Sequence, residues 1–489
     1  MKIKLLNIAL YLCFIVTNVI AQNSSSINVE KISTHFEQKI PAMMKQVDVP
    51  GLSIAVIQNS EIAWSQGFGI TGQNLKKEVT ANTIFEAGSL SKPVFAYAVL
   101  KLVDQGLLNL DSSLSSYLPV KYILDDQIDK VTARMVLSHT SGLPLWWPEG
   151  ENLSIHFTPG EKFSYSSEGF VYLQNVVETI TGEPLQDIMK KQVFDPLEMK
   201  NSSYVWEERF EGQAAMGHNQ FGQEETLWMR NKGNAASSLL TTANDYAKFI
   251  IAVLNGTGLK DKTISDMLKP QVYLDPDCID CTDHKTGELS KSLAWGLGWG
   301  LQLSNNETTF WHWGDNLVFT SYCVASRKDK TGIVYFTNSS NGLMLRNEIV
   351  SQVIGGKHPA FDWVHYDQYD SPGVIFRQTV LKEGIEKGLA KYFELKKSGN
   401  YQKFISENTI NEIGYVLMNT NRVPEAIEIF RLNVKEHPDS WNVYDSLAEA
   451  YAAQGDKTQA VNYYNIALKK VDQQDQKQRI SQTIKKLNN

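Results

Sequence analysis

Phe85-Glu86-Ala87-Gly88-Ser89-Leu90-Ser91-Lys92-Pro93 opens the strongest helical pattern of the chain, in which Val94, Ala98, Leu102 and Val103 recur at helical spacing until Gly106. A serine hydroxyl is a poor nucleophile until a base removes its proton. Lys92 follows Ser89 by three positions, on the same helix face and within reach of the serine oxygen. A helix N-terminus favours negative charge, which suits a developing oxyanion. Lys92 serves as base only if burial or a neighbouring cation lowers its pKa. The plain alternative is a capping Ser89 beside a surface Lys92. No other serine of the chain precedes a lysine by three.

The flanking sequence decides between them. Ser89 and Lys92 fit the S-x-x-K pattern of penicillin-binding proteins and serine β-lactamases. Further segments follow in order: Ala133 to Leu143 (ARMVLSHTSGL), Pro159 to Ser167 (PGEKFSYSS), Asn234 to Asp245 (NAASSLLTTAND) and Phe310 to Gly314 (FWHWG). From Val49 to Ser340 the chain resembles the class C β-lactamase and D-alanyl-D-alanine peptidase superfamily. The resemblance implies that Ser89 is the acyl-accepting nucleophile, Lys92 its proton partner and Tyr165 a second base or acid. It places Ser167, His312, Gly314 and Asp315 at the substrate. The backbone N–H groups of Ser89 and Asp315 would form the oxyanion hole. His139 reads as a structural residue of its turn.

Two departures narrow the substrate. Ser167 stands where relatives carry an asparagine, so the amide that grips a substrate carbonyl is missing. His312 stands where many have lysine, giving less positive charge for a carboxylate. Ser237-Ser238 replaces a common glycine pair. Lys285-Thr286-Gly287 and Lys330-Thr331-Gly332 also spell a K-T-G motif. The first lies in a polar loop and the second reads as a hairpin turn, leaving His312-Trp313-Gly314 as the site strand.

Elsewhere, Leu52 to Gly69 reads as two strands around Asn59-Ser60. Ala133 to Ser138 and Gly169 to Thr181 read as helices. Gly296 to Leu303, Thr320 to Ser326 and Gly332 to Thr337 read as strands. The expected fold is α/β (α+β): an antiparallel sheet flanked by helices, over residues 28–360. Phe361 to Pro372 reads as the start of a linker over 361–379, and 380–489 as an all-α domain with a helix at Val380 to Lys397. There Leu417 and Tyr451, Asn421 and Gly455, Ala426 and Ala460, and Phe430 and Tyr464 match at a spacing of 34. This looks like tetratricopeptide repeats; an unrelated helical hairpin pair is the alternative.

Lys2 and Lys4, the apolar run Leu5 to Val19, and small Val19 and Ala21 read as a secretory signal peptide over 1–21, with no Cys at the cut to carry a lipid. The expected location is therefore periplasmic or secreted. Cys278 and Cys281 suit a loop disulfide or free thiols; a zinc site with His284 or a redox pair would need more ligands or a different setting. Cys323 reads as core. A net charge of -7 gives no reason to expect nucleic acid or an anionic membrane.

The expected activity is hydrolysis of a small ester or D-amino-acid peptide through a Ser89 acyl-enzyme, with no metal or organic cofactor. A strict β-lactamase or D-alanyl-D-alanine carboxypeptidase is the alternative within the enzyme class. A non-catalytic protein that binds a peptide or protein partner through its repeats is the alternative outside it.

Overall fold

The computed structural model describes residues 27–74, 76–147, 152–282, 287–304, 307–397 and 405–488. The expected signal peptide, His284 and Lys285-Thr286 lie outside these. The described residues hold ten strands: β1 Gly51–Gln58, β2 Glu61–Gly69, β3 Phe85–Glu86, β4 Leu240–Thr241, β5 Val272–Tyr273, β6 Leu293–Trp295, β7 Gly300–Leu303, β8 Thr308–Asp315, β9 Thr320–Ser326 and β10 Thr331–Thr337. Eight form one antiparallel sheet in the order β2-β1-β10-β9-β8-β7-β6-β5; β3 and β4 pair separately. The first two strands therefore close onto the last, and the intervening helical region returns beside the sheet.

The central strands are buried along their length, so both faces are covered. One face packs on Ser91–Asp104, Glu168–Thr181 and Ala243–Asn255. The other packs on Val29–Gln46, a helix that the sequence reading left unassigned. Its Ile32, Phe36, Ile40 and Met43 fall at helical spacing and are buried. Full burial of each such side chain contributes roughly 1.5–3 kcal/mol.

Three expectations change. Gly296 to Leu303 is not one strand: residues 296–299 are the turn between β6 and β7, with Gly298 at φ +83°, and only Gly300–Leu303 is strand. Val380 to Lys397 is broken at Gly384 (φ +91°) into Pro372–Glu383 and Ile385–Lys397. The stretch expected as a linker is packed: Phe361, Trp363, Val364 and Val374 are buried in the same core as β8 and β9. Their apolar bulk cannot remain in water as an extended chain. The core of the sheet thus continues past residue 360.

Among the described residues, the helices after Ile385–Lys397 form two hairpins and a final helix, Gln474–Asn488. The hairpins are Glu407–Asn419 with Val423–Glu436, and Trp441–Gln454 with Lys457–Lys470, so equivalent helices begin 34 residues apart. A Cβ on Gly414 would lie 2.3 Å from the Phe430 ring, so this crossing requires a glycine.

Candidate active site

Ser89 sits in a single 3-10 turn, Gly88–Leu90, leading directly into Ser91–Asp104. The turn is locked by Ser91, whose Oγ donates to Gly88 O at 2.6 Å and accepts from Leu239 N at 3.0 Å. Ser89 itself is partly exposed, whereas Lys92 is fully buried. Lys92 Nζ donates to Ser89 Oγ at 3.0 Å and to Ala236 O at 2.9 Å. Burial holds its pKa well below the ordinary lysine value. A buried amine of lowered basicity against the hydroxyl is what proton abstraction needs. The capping-and-surface alternative is thereby set aside.

Tyr165 faces this pair: Lys92 Nζ lies 4.9 Å from its ring centroid. Its backbone N–H donates to Ile279 O at 2.9 Å, in the loop closed by the Cys278–Cys281 disulfide. Burial raises its pKa; the interaction with Ser89 lowers it by less, and the hydroxyl lacks a hydrogen bond of ordinary geometry. The phenol is therefore protonated at neutral pH.

His139 stacks on Tyr165, ring centroids 4.3 Å apart, with φ 56°. Its Nδ1 accepts from Ser166 N at 3.0 Å. Burial, then the charges of Lys92 and His312, depress its pKa well below the usual value. It supports the wall as a neutral ring. Ser167 is buried at the start of Glu168–Thr181, its N–H donating to Leu145 O at 2.9 Å.

The opposite wall is β8. Strand alternation sends Phe310 to the helix-covered face and Trp311 and Trp313 to the other. His312 shares the face of Phe310, toward Lys92. Its Nδ1–H donates to Trp313 O at 2.7 Å, leaving Nε2 as a buried acceptor without a protein partner. Trp295 stands edge-on to His139 and His312, at 5.2 and 5.4 Å. Burial and then the Lys92 charge push the His312 pKa down to about 3, so the ring is neutral.

Two glycines let Ser89 dock on this strand. A Cβ on Gly314 would lie 2.1 Å from Ala87 O, and one on Gly88 2.9 Å from Asp315 N. The Ser89 turn thus abuts the Asp315 backbone, as an oxyanion hole built from these two segments requires.

One neighbour escaped the sequence reading. Tyr366, from the supposed linker, donates through Oη to Asp315 Oδ2 at 2.6 Å. Its aromatic, acidic stretch carried no signal of a site. Ala236 O, which holds Lys92, was equally invisible because a backbone carbonyl leaves no residue signature. At the rim, Trp146, Trp147, Trp228 and Leu317 are exposed, and Trp228, Asp315 and Leu317 line a cavity of about 610 Å³.

Comparisons with known proteins bear on the family and the fold. The family model described as Beta-lactamase matches residues 36–350. Penicillin-binding protein 4 of Amycolatopsis lactamdurans is 26% identical over 295 residues, 55% of this chain and 75% of the relative. Protein flp of Staphylococcus aureus (strain N315) is 23% identical over 381 residues, 73% and 70% of the two chains. Two solved structures share the fold. The octameric penicillin-binding protein homologue from Pyrococcus abyssi has a TM-score of 0.53 at 22% identity, covering 73% of this chain and 82% of its own. The Beta-Lactamase/D-Alanine Carboxypeptidase from Pseudomonas syringae has a TM-score of 0.57 at 17% identity, covering 66% and 98%. With its sheet, its Ser89–Lys92 pair and a family match across most of its length, the chain belongs to the beta-lactamase family of serine hydrolases.

Proposed function

We propose that the protein is an exported serine hydrolase that cleaves small esters or D-amino-acid peptides through an acyl-enzyme on Ser89. The observation that carries this reading is the buried Lys92 Nζ, 3.0 Å from Ser89 Oγ. Lys92 takes the Ser89 proton as Oγ bonds to the substrate carbonyl carbon. The oxyanion is held by the N–H groups of Ser89 and Asp315. As the tetrahedral intermediate collapses, the Tyr165 phenol gives its proton to the leaving group and regains one from the Lys92 ammonium. Water then attacks the acyl ester as Lys92 takes its proton, and that proton passes to Ser89 Oγ as the ester bond breaks, restoring the serine.

Neutral His312 and an amide-free Ser167 favour this substrate class over a β-lactam or a peptide ending in a carboxylate. The Lys2, Lys4 and Leu5 to Val19 pattern supports export. The helix hairpins repeating every 34 residues support two tetratricopeptide repeats, which offer a surface for a protein or peptide partner. Among the described residues, no helix is long and apolar enough to cross a membrane.

A panel of p-nitrophenyl esters, D-amino-acid p-nitroanilides and nitrocefin tests the reading. Turnover of an ester or D-peptide, with slow or no nitrocefin hydrolysis, is expected. Efficient turnover of nitrocefin alone would overturn the substrate assignment.

A further inference from the structure

The wall formed by β8 and the segment after residue 360 carries more anionic than cationic character. Asp315 accepts from Leu317 N at 2.8 Å through Oδ1 and from the Tyr366 hydroxyl at 2.6 Å through Oδ2. Tyr366 is also close enough to Tyr165 for that phenol to add to the rise in its pKa, after burial and Asp315. Glu86 lies one segment away, accepting at 2.7 Å from Asn316 Nδ2. On the cationic side, Lys92 is buried behind Ser89, and His312 is neutral. Arg230 lies over the Trp228 ring at 4.6 Å, and its charge acts on Glu86.

Tyr165 is the proton donor to the leaving group in the proposed mechanism, so its neighbours face that group. We propose that Tyr366 and Asp315 form the leaving-group wall of the site. The pair selects for leaving groups that are uncharged or carry an ammonium, and against a free carboxylate. Asp315 supplies the charge. Tyr366 is the positioning residue, fixing one carboxylate oxygen so that the side chain keeps a single orientation. The inference rests on the hydrolase reading. It also assigns a role to the segment after residue 360: that segment completes the site from outside the family match, which ends at residue 350.

The test uses the full chain and three aryl acetates of similar size, whose phenols carry a para carboxymethyl, hydroxyethyl or aminoethyl arm. The readout is the ratio of kcat/KM for the amine and carboxylate esters within each variant, which cancels any change in basal activity. The wild type should favour the amine by about tenfold, the effect of one partly screened charge pair. Asp315→Asn keeps the backbone N–H and should bring the ratio toward one. Tyr366→Phe should reduce it by about two- to threefold through loss of one orienting hydrogen bond, with kcat for the hydroxyethyl ester moving less than the ratio. If Asp315→Asn does not fold, the Tyr366→Phe ratio still decides. A wild-type preference for the carboxylate, or a ratio unmoved by either substitution, would overturn the proposal alone. Failure to cleave any of the three esters would overturn it together with the hydrolase reading.

Discussion

The two walls of the site are built in different ways. Ser89 and Lys92 belong to one turn of backbone, three residues apart, and meet because a helix brings such residues together. The facing wall gathers Tyr165, His312, Asp315 and Tyr366 from three segments spread over two hundred positions, held by a sheet and an aromatic layer. In the proposed mechanism the local wall carries the nucleophile and its base. The assembled wall sets protonation states and substrate shape. The difference teaches that acyl transfer depends on a short, rigid element, while selectivity depends on the packing of distant ones.

The largest expected effects fall on the local wall. Ser89→Ala and Lys92→Met should each lower kcat by about three orders of magnitude or more in stopped-flow ester hydrolysis, with the pair together costing little more than either alone. Additive losses would show that the two do not act as a unit. Tyr165→Phe, on the assembled wall, should lower kcat by about 10²–10⁴-fold if the phenol is the proton donor, and least for esters whose leaving group needs no proton. Equal losses for good and poor leaving groups would argue against that role.

Smaller effects test how the walls meet. Gly314→Ala should destabilise the fold by about 1–3 kcal/mol in denaturant melts, because a Cβ would collide with Ala87 O. An unchanged midpoint would mean that the Ser89 turn can shift. The buried His312 gives a pH signature. Its folded pKa, about 3, lies below the ordinary histidine value of 6.5, so the unfolded state binds more protons between them. Stability should therefore rise with pH across that window and be lost as pH falls. Lys92, depressed from 10.5, acts in the same sense at higher pH. His312→Gln should flatten the acid limb by an amount on the order of a few kcal/mol, read from melts at several pH values. No change in slope would mean that the ring is solvated.

The sequence showed these parts unequally. Ser89, Lys92, Tyr165 and His312 were legible through ordered motifs, and β1, β2, β9 and β10 through turn residues and apolar runs. Gly296 to Leu303 reads as one strand because the turn at Gly298 is not distinguished from β7, and the short β6 before it carries no run long enough to show. Tyr366 was missed because aromatic and acidic residues without periodicity look like a linker until a packed core is present to receive them. The protonation states of Lys92 and Tyr165 could not be read either, since burial is a property of the assembled fold.

The most direct test of the central claim is intact-mass and peptide analysis after treatment with an activity-based fluorophosphonate. One adduct per chain, mapped to the peptide containing Ser89, absent in Ser89→Ala and slowed by at least about a hundredfold in Lys92→Met, is the predicted result. Labelling that persists in Ser89→Ala, or maps to another residue, would contradict it.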